Sequence, residues 1–254
     1  MPPSVTAALW TLLVSSLIGA GVAYLLLHRA IPDSPLGSAP VSLGMLLNKS
    51  LLGNSVIAWA SALNSQIGLV MLSYTASTSD VAQFRVAQQM SMLMGTGLIV
   101  SAALYAPRLS ALVQLDQIDE LRRISRRICV ASLAFATPIA LVYFLIPQSA
   151  LHLTFGSYYA TAAWPLVYLA CGQLLNAAFG AITPLAIATR NERSAIAAHI
   201  ASVVVNFVLC FVLIPRSGAV GAAIAGSASL AAWNLILFAL LWKRAGIRSF
   251  AFAG

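Results

Sequence analysis

Seven long apolar runs alternate with short polar segments along the chain, and each run is about the length of a membrane span. They cover residues 5–27, 51–72, 81–105, 128–146, 161–188, 195–214 and 218–242. A helix rising 1.5 Å per residue needs roughly 20 apolar residues to cross a hydrocarbon core about 30 Å thick. The pattern predicts an all-α, polytopic transmembrane helix bundle of about seven spans. Proline and basic residues punctuate it. His28 and Arg29 precede a Pro-rich linker over 31–40, Pro107-Arg108 closes the third run, and Pro215-Arg216 stops the sixth. Pro138 lies in the middle of the fourth run. The longest hydrophilic stretch, 110–127, is expected to be partly helical, and 148–159 reads as an interfacial segment. The expected organisation is a first span and linker over 1–40, a six-helix lobe over 41–245 and a cytoplasmic tail over 246–254.

Composition strengthens this picture. The 254 residues are 60% hydrophobic and 8% charged, with a mean hydropathy of +0.91. A soluble domain carries about a quarter charged residues, because its surface must face water. Six acids and fourteen bases cannot clothe a globule of this size. The net charge of +8 does not indicate nucleic acid, because no aromatic-plus-basic platform accompanies it. The first run lacks the basic leader of a signal peptide and is expected to be a true span. Cys129, Cys171 and Cys210 fall in three different runs and read as packing residues. His28, His152 and His199 are too scattered for a metal site, so no metal or cofactor is expected.

The bases orient the chain. If the spans alternate, Arg29, Lys49, Arg108, Arg122, Arg123, Arg126, Arg127, Arg190, Arg193, Lys243, Arg244 and Arg248 share one side. Only Arg216 lies on the other, and Arg85 is inside the third span. Cytoplasmic loops are enriched in Lys and Arg. The layout expected is therefore N-terminus out and C-terminus in.

Polar residues inside the runs recur at helical spacing. The second run carries Asn54, Ser61 and Ser65, with Asn64 beside them. The third carries Arg85, Gln88, Met92 and Gly95, and the fifth Gln173, Asn176, Gly180 and Thr183. The sixth carries His199, Ser202, Asn206 and Cys210, and the seventh Ser227 and Asn234. Two readings stand. Amides and small residues act as glue between helices, or they line a hydrated cavity that binds a polar substrate at mid-membrane. The substrate-cavity candidates are Arg85, Gln88, Asn54, Asn64, Gln173, Asn176, Asn206 and Asn234. Arg85 is either a side chain that snorkels to headgroups or a cavity cation whose planar fork suits a phosphate.

Three groups of residues carry a family resemblance. Phe155-Gly156-Ser157-Tyr158-Tyr159 leads through Ala162 and Leu166 to Gly172–Asn176. Asn206 and Leu213-Ile214-Pro215 are followed by Gly218 and by Gly221-Ala222-Ala223-Ile224-Ala225. Upstream stand Phe84, Ala87, Ala106-Pro107 and Leu109-Ser110. In their order over residues 50–245 these resemble the polysaccharide-biosynthesis and O-antigen flippases of the multidrug/oligosaccharidyl-lipid/polysaccharide superfamily.

The resemblance implies the second lobe of a two-lobed transporter, with the first run as the last helix of an absent first lobe. It implies a bacterial cytoplasmic (inner) membrane location and flipping of polyprenyl-pyrophosphate-linked oligosaccharides of the cell envelope, lipopolysaccharide O-antigen among them. Arg85 would face the pyrophosphate. The acidic residue that many relatives carry early in the span equivalent to 51–72 is absent here, and Asn64 and Gln66 are the nearest polar groups. The expected partners are the lipid-linked glycan, membrane lipids, and a second lobe or a second copy. The chain is then a truncated product, a half-transporter or a homodimer subunit.

The competing functions are a non-transporting scaffold of a glycan assembly complex, and an intramembrane glycan polymerase or acyltransferase. An enzyme needs clustered acids or histidines near one membrane face. The spans hold no acid, so no enzyme is expected. A seven-helix receptor of the retinal type would need a buried lysine in the last span, and Lys243 is terminal.

Overall fold

The structure, a computed structural model, describes residues 49–245. The expected first span, the linker and the tail lie outside the described residues. Within 49–245 the chain is helical, with no strand among the described residues. Its elements are α1 (Lys49–Thr75), α2 (Thr78–Gln114), α3 (Ile118–Leu145), α4 (Pro147–Phe155), a 3-10 turn (Ser157–Ala162), α5 (Ala163–Phe179), α6 (Ile182–Ala188) and α7 (Glu192–Ala245). Five stretches are long and apolar enough to cross a membrane: α1, α2, α3, the 157–188 stretch and α7.

The last of these is two passes. Gly218 sits at φ 52°, ψ −127°, outside helical space, in a region that only glycine enters at little cost. The rings of His199 and Trp233 stack with centroids 4.6 Å apart. In one straight helix residues that far apart in sequence would be separated by about 50 Å. The two arms, 192–217 and 219–245, therefore fold back on each other. A Cβ on Gly221 would stand 2.5 Å from the Leu213 carbonyl oxygen. Only glycine admits this approach.

Each turn has a local cause. A capping box starts α2: the Ser77 side chain accepts from the Asp80 amide, and the Asp80 carboxylate accepts from the Ser77 amide. Between α2 and α3 lie only three residues, with Asp116 at φ 54°. The hydrophilic stretch 110–127 is thus almost wholly helical, an extension of two helices beyond their apolar parts. Pro107, expected to close its run, lies inside α2, and Pro138 lies inside α3, whereas Pro215 stands three residues before the reversal at Gly218, where the sixth run is expected to stop. In lipid a helix cannot open its backbone to solvent, so it continues past a proline and neighbouring groups compensate.

The 161–188 run, expected as one uninterrupted span, is broken at Gly180 (φ 62°, ψ −145°) into α5 and α6. A Cβ at Gly180 would stand 2.5 Å from Cys129 Sγ. The break lets α5 press against α3 at the closest point.

Contacts across the turns fix the directions of the passes. Gln88 reaches back to Ser65, Tyr143 to Met90, and Gly180 to Cys129. Gly53 meets Glu192 and Ile196, and Asn64 meets Asn206, so α1 and the first arm of α7 run parallel. One end of the bundle collects Arg108, Arg122, Arg123, Arg126, Arg127, Arg190, Arg193 and Lys243. There Leu109, Leu112, Leu121, Ile124, Ile128 and Leu185 form a buried cluster. The opposite end joins Leu72, Phe84, Ile214 and Ala222 and lies near Arg216. Large apolar side chains cover the outside: Trp59 is 72% exposed, Leu104 73% and Phe211 68%. A contiguous oily surface of this kind belongs in lipid. The chain is a multi-pass membrane protein.

Gly180→Ala should lower the thermal unfolding temperature of the purified protein in detergent. It combines a glycine-only backbone with a clash, so its cost should be about 3 kcal/mol. Cys129→Ala combined with it should recover only part, because the backbone strain remains.

Candidate functional site: a polar cavity between five passes

The polar positions of α1, α2, α5 and both arms of α7 converge on one cavity of about 220 Å³. That volume exceeds several-fold the space that one water requires. Asn64 and Ser61 come from α1, Gln88 and Ser91 from α2, Gln173 from α5, and His199 and Asn206 from the first arm of α7. Ser229 and Trp233 come from the second arm. α3 contributes nothing to the lining.

Four of the eight expected residues line this cavity, and three of those four are bonded across helices. Asn206 Nδ2 donates to Asn64 Oδ1 and to the Asn64 carbonyl, both at 2.8 Å. Asn64 Nδ2 donates to Ser229 Oγ at 3.2 Å, so one amide ties three passes together. Gln88, 8% exposed, donates from Nε2 to the Ser65 carbonyl at 2.7 Å. Gln173 has its Oε1 beside Gly95, 3.2 Å from where a Cβ would stand.

Arg85 is exposed and is not part of the cavity wall. It reaches the wall indirectly: its Nη1 donates to Gln88 Oε1 at 3.2 Å. Gln88 therefore couples the guanidinium outside to the Ser65 backbone inside.

Asn176, Asn234 and Asn54 lie elsewhere. Asn234 is fully buried and donates to Asn176 Oδ1 at 3.1 Å and to the Leu230 carbonyl at 2.9 Å. This pair stitches α5 to the last pass, beyond the cavity toward the basic end. Asn54 sits beside Gly53, which packs on Glu192 and Ile196 near the same end. Among the described residues the buried Oδ1 atoms of Asn54 and Asn234 have no hydrogen-bond partner. The Ser227–Asn234 stripe points at α5, where Ser227 Oγ donates to the Tyr168 carbonyl at 2.6 Å. The cavity face of the last pass is Ala222, Gly226, Ser227, Ser229, Leu230 and Trp233, so Ser227 borders the cavity while Asn234 turns to Asn176.

His199 and Trp233 were not among the expected cavity residues. His199, 6% exposed, stacks on Trp233. Its Nδ1 lies 3.3 Å from Ser61 Oγ and its Nε2 3.3 Å from Thr183 Oγ1. The single Ser61 hydroxyl proton goes to the Ile57 carbonyl at 2.9 Å. With the Ser61 hydroxyl given to the Ile57 carbonyl, the arrangement that satisfies both contacts has Nδ1–H donating to Ser61 and Thr183 donating to Nε2. One imidazole thereby holds α1 and α6 together. The signal for His199 was in the sequence, two helical turns before Asn206 on one face. Trp233 gave none, because an aromatic residue in an apolar run is ordinary.

The lining is amide, hydroxyl, imidazole and apolar, with no carboxylate among the described residues that form it. Such a wall solvates polar groups, and the Arg85 guanidinium is hydrogen-bonded to its Gln88. Compared with known protein families, with curated protein sequences and with solved structures, the chain matches none.

The Asn64–Asn206 contact is measurable. A double-mutant cycle with alanine at both positions, read by unfolding in detergent, should give a coupling of about 0.5–1.7 kcal/mol. The Asn176/Asn234 pair, distant from it, should add independently.

Proposed function

We propose that this chain is a membrane-transport component, the second lobe of a flippase that moves polyprenyl-pyrophosphate-linked oligosaccharide or polysaccharide precursors across the cytoplasmic membrane. The observation that carries this reading is the convergence of polar faces from five passes on one mid-bundle cavity, with Arg85 hydrogen-bonded to its wall through Gln88. Hydrophobic passes gain nothing from a hydrated interior unless something polar enters it. Arginine offers a pyrophosphate a permanent charge and a bidentate fork. Translocation by alternating access requires no covalent chemistry. A partner lobe, from another chain or a second copy, completes the pathway. The basic end of the bundle is its cytoplasmic end by the positive-inside rule, and with the first apolar run as a further span the N-terminus is outside and the C-terminus inside.

A second reading has its own observation. Asn64, Asn206, Gln88, Asn176 and Asn234 all close bonds between helices. That is what a rigid scaffold of a glycan assembly complex would need.

The two readings part at Arg85. In the assembled transporter, Arg85→Ala should reduce surface-glycan export several-fold, and Arg85→Lys should retain part of it. Unchanged export in the alanine variant would favour the scaffold. The orientation has a separate check: a tag fused after Gly254 should resist protease added to intact cells and become sensitive once they are lysed.

A further inference from the structure

The second and third turns of α3 carry an arginine patch whose halves differ in how they are neutralised. Leu121, Ile124, Ser125 and Ile128 are buried against the bundle, while Arg122, Arg123, Arg126 and Arg127 occupy the exposed face. The outer pair has protein counter-charges. Arg122 meets Asp119 at 3.4 Å, and Arg123 meets Glu120 at 3.0 Å, with Arg108 of α2 sharing Glu120 at 3.5 Å. The inner pair, Arg126 and Arg127, forms no ion pair among the described residues. Arg122 and Arg126, and Arg123 and Arg127, stand four residues apart, a spacing at which like charges repel. The helix keeps this repulsion with no acid among the described residues paired to the inner level.

Depth explains what relieves it. From Ile128 to the end of α3 the chain has no charged residue, and those 18 residues rise about 27 Å. This is close to the thickness of the hydrocarbon core. Arg126 and Arg127 therefore stand at its edge, where lipid phosphates lie, and the outer pair sits roughly 6 Å farther into water. The inner arginines are placed for phosphodiesters; the outer ones are placed beyond them and take carboxylates instead.

We propose that Arg126 and Arg127 form a binding site for anionic phospholipid headgroups at the basic end of the bundle. The ligand is a lipid phosphodiester with net negative charge, held by two guanidinium forks. Its acyl chains lie along the exposed apolar face of α3, where Val130 is 52% exposed. The site requires membrane residence but not the transport reading, so each can fail without the other.

Native mass spectrometry of the full, delipidated chain, titrated with phosphatidylglycerol or phosphatidylcholine, tests this. The protein should prefer phosphatidylglycerol. R126Q/R127Q should lose about fivefold in that affinity per arginine, about 25-fold together, while R126K/R127K retains most of it. The variant D119N/E120Q/R122Q/R123Q removes the outer tier without changing net charge and should stay within about twofold of the parent chain. Equal binding of the two lipids by the parent chain overturns the proposal whether or not any variant folds. So does unchanged affinity in R126Q/R127Q, or an equal loss in the outer-tier variant. Displacement of phosphatidylglycerol by millimolar inorganic phosphate would make the patch a free-anion site and would also overturn it.

Discussion

In hydrocarbon no water is available to take an unpaired amide or carbonyl, so every backbone group must find its partner inside the protein. That constraint explains features that look improper by the standards of soluble proteins. Helices run through Pro107 and Pro138 without ending. Reversals close to the apolar core are made by short devices: a capping box at Ser77 and Gly218. The same constraint governs side chains. Asn64, Asn206, Gln88 and Asn234 cannot face lipid unpaired, and each donates a hydrogen bond to another pass. The cavity is where these inward faces meet and do not fill the space.

Glycine is used at the few points where two backbones come closest. Gly221 lies against the Leu213 carbonyl, Gly172 against Ser227 and Gly180 against Cys129. Between apolar helices in lipid there is little hydrophobic force to gain by association, so close packing and interhelical hydrogen bonds carry the stability. Small residues at these contacts are therefore part of what holds the cavity wall in position. His199 adds a polar tie of the same kind, bridging Ser61 and Thr183 while its ring face rests on Trp233.

Charge is distributed by a different logic from polarity. The amides are interior and pair with each other, whereas the arginines stand at the basic end, where water and headgroups solvate them. Arg85 and Arg216 stand near the opposite end, and Arg85 is bonded to Gln88. It is the one place among the described residues where a full charge touches the cavity wall, and the functional reading leans on it for that reason.

Much of this could be seen in the order of residues alone. Runs of about twenty apolar residues can only be membrane helices, because length and hydropathy are local properties and lipid tolerates little else. The same holds for the inward stripes of α1, α2, α5 and the first arm of α7, since a period of 3.6 places Asn64, Gln88, Gln173 and Asn206 on definite faces. Other features depended on which helix a face meets. Asn234 and Trp233 are adjacent, and only packing decides that the asparagine meets Asn176 while the tryptophan borders the cavity. The break at Gly180 and the tie between His199 and Thr183 have no local signature either. They arise from the approach of α3 to Gly180 and of α6 to the first arm of α7, and the energy of such a contact belongs to two segments at once, neither of which contains it alone.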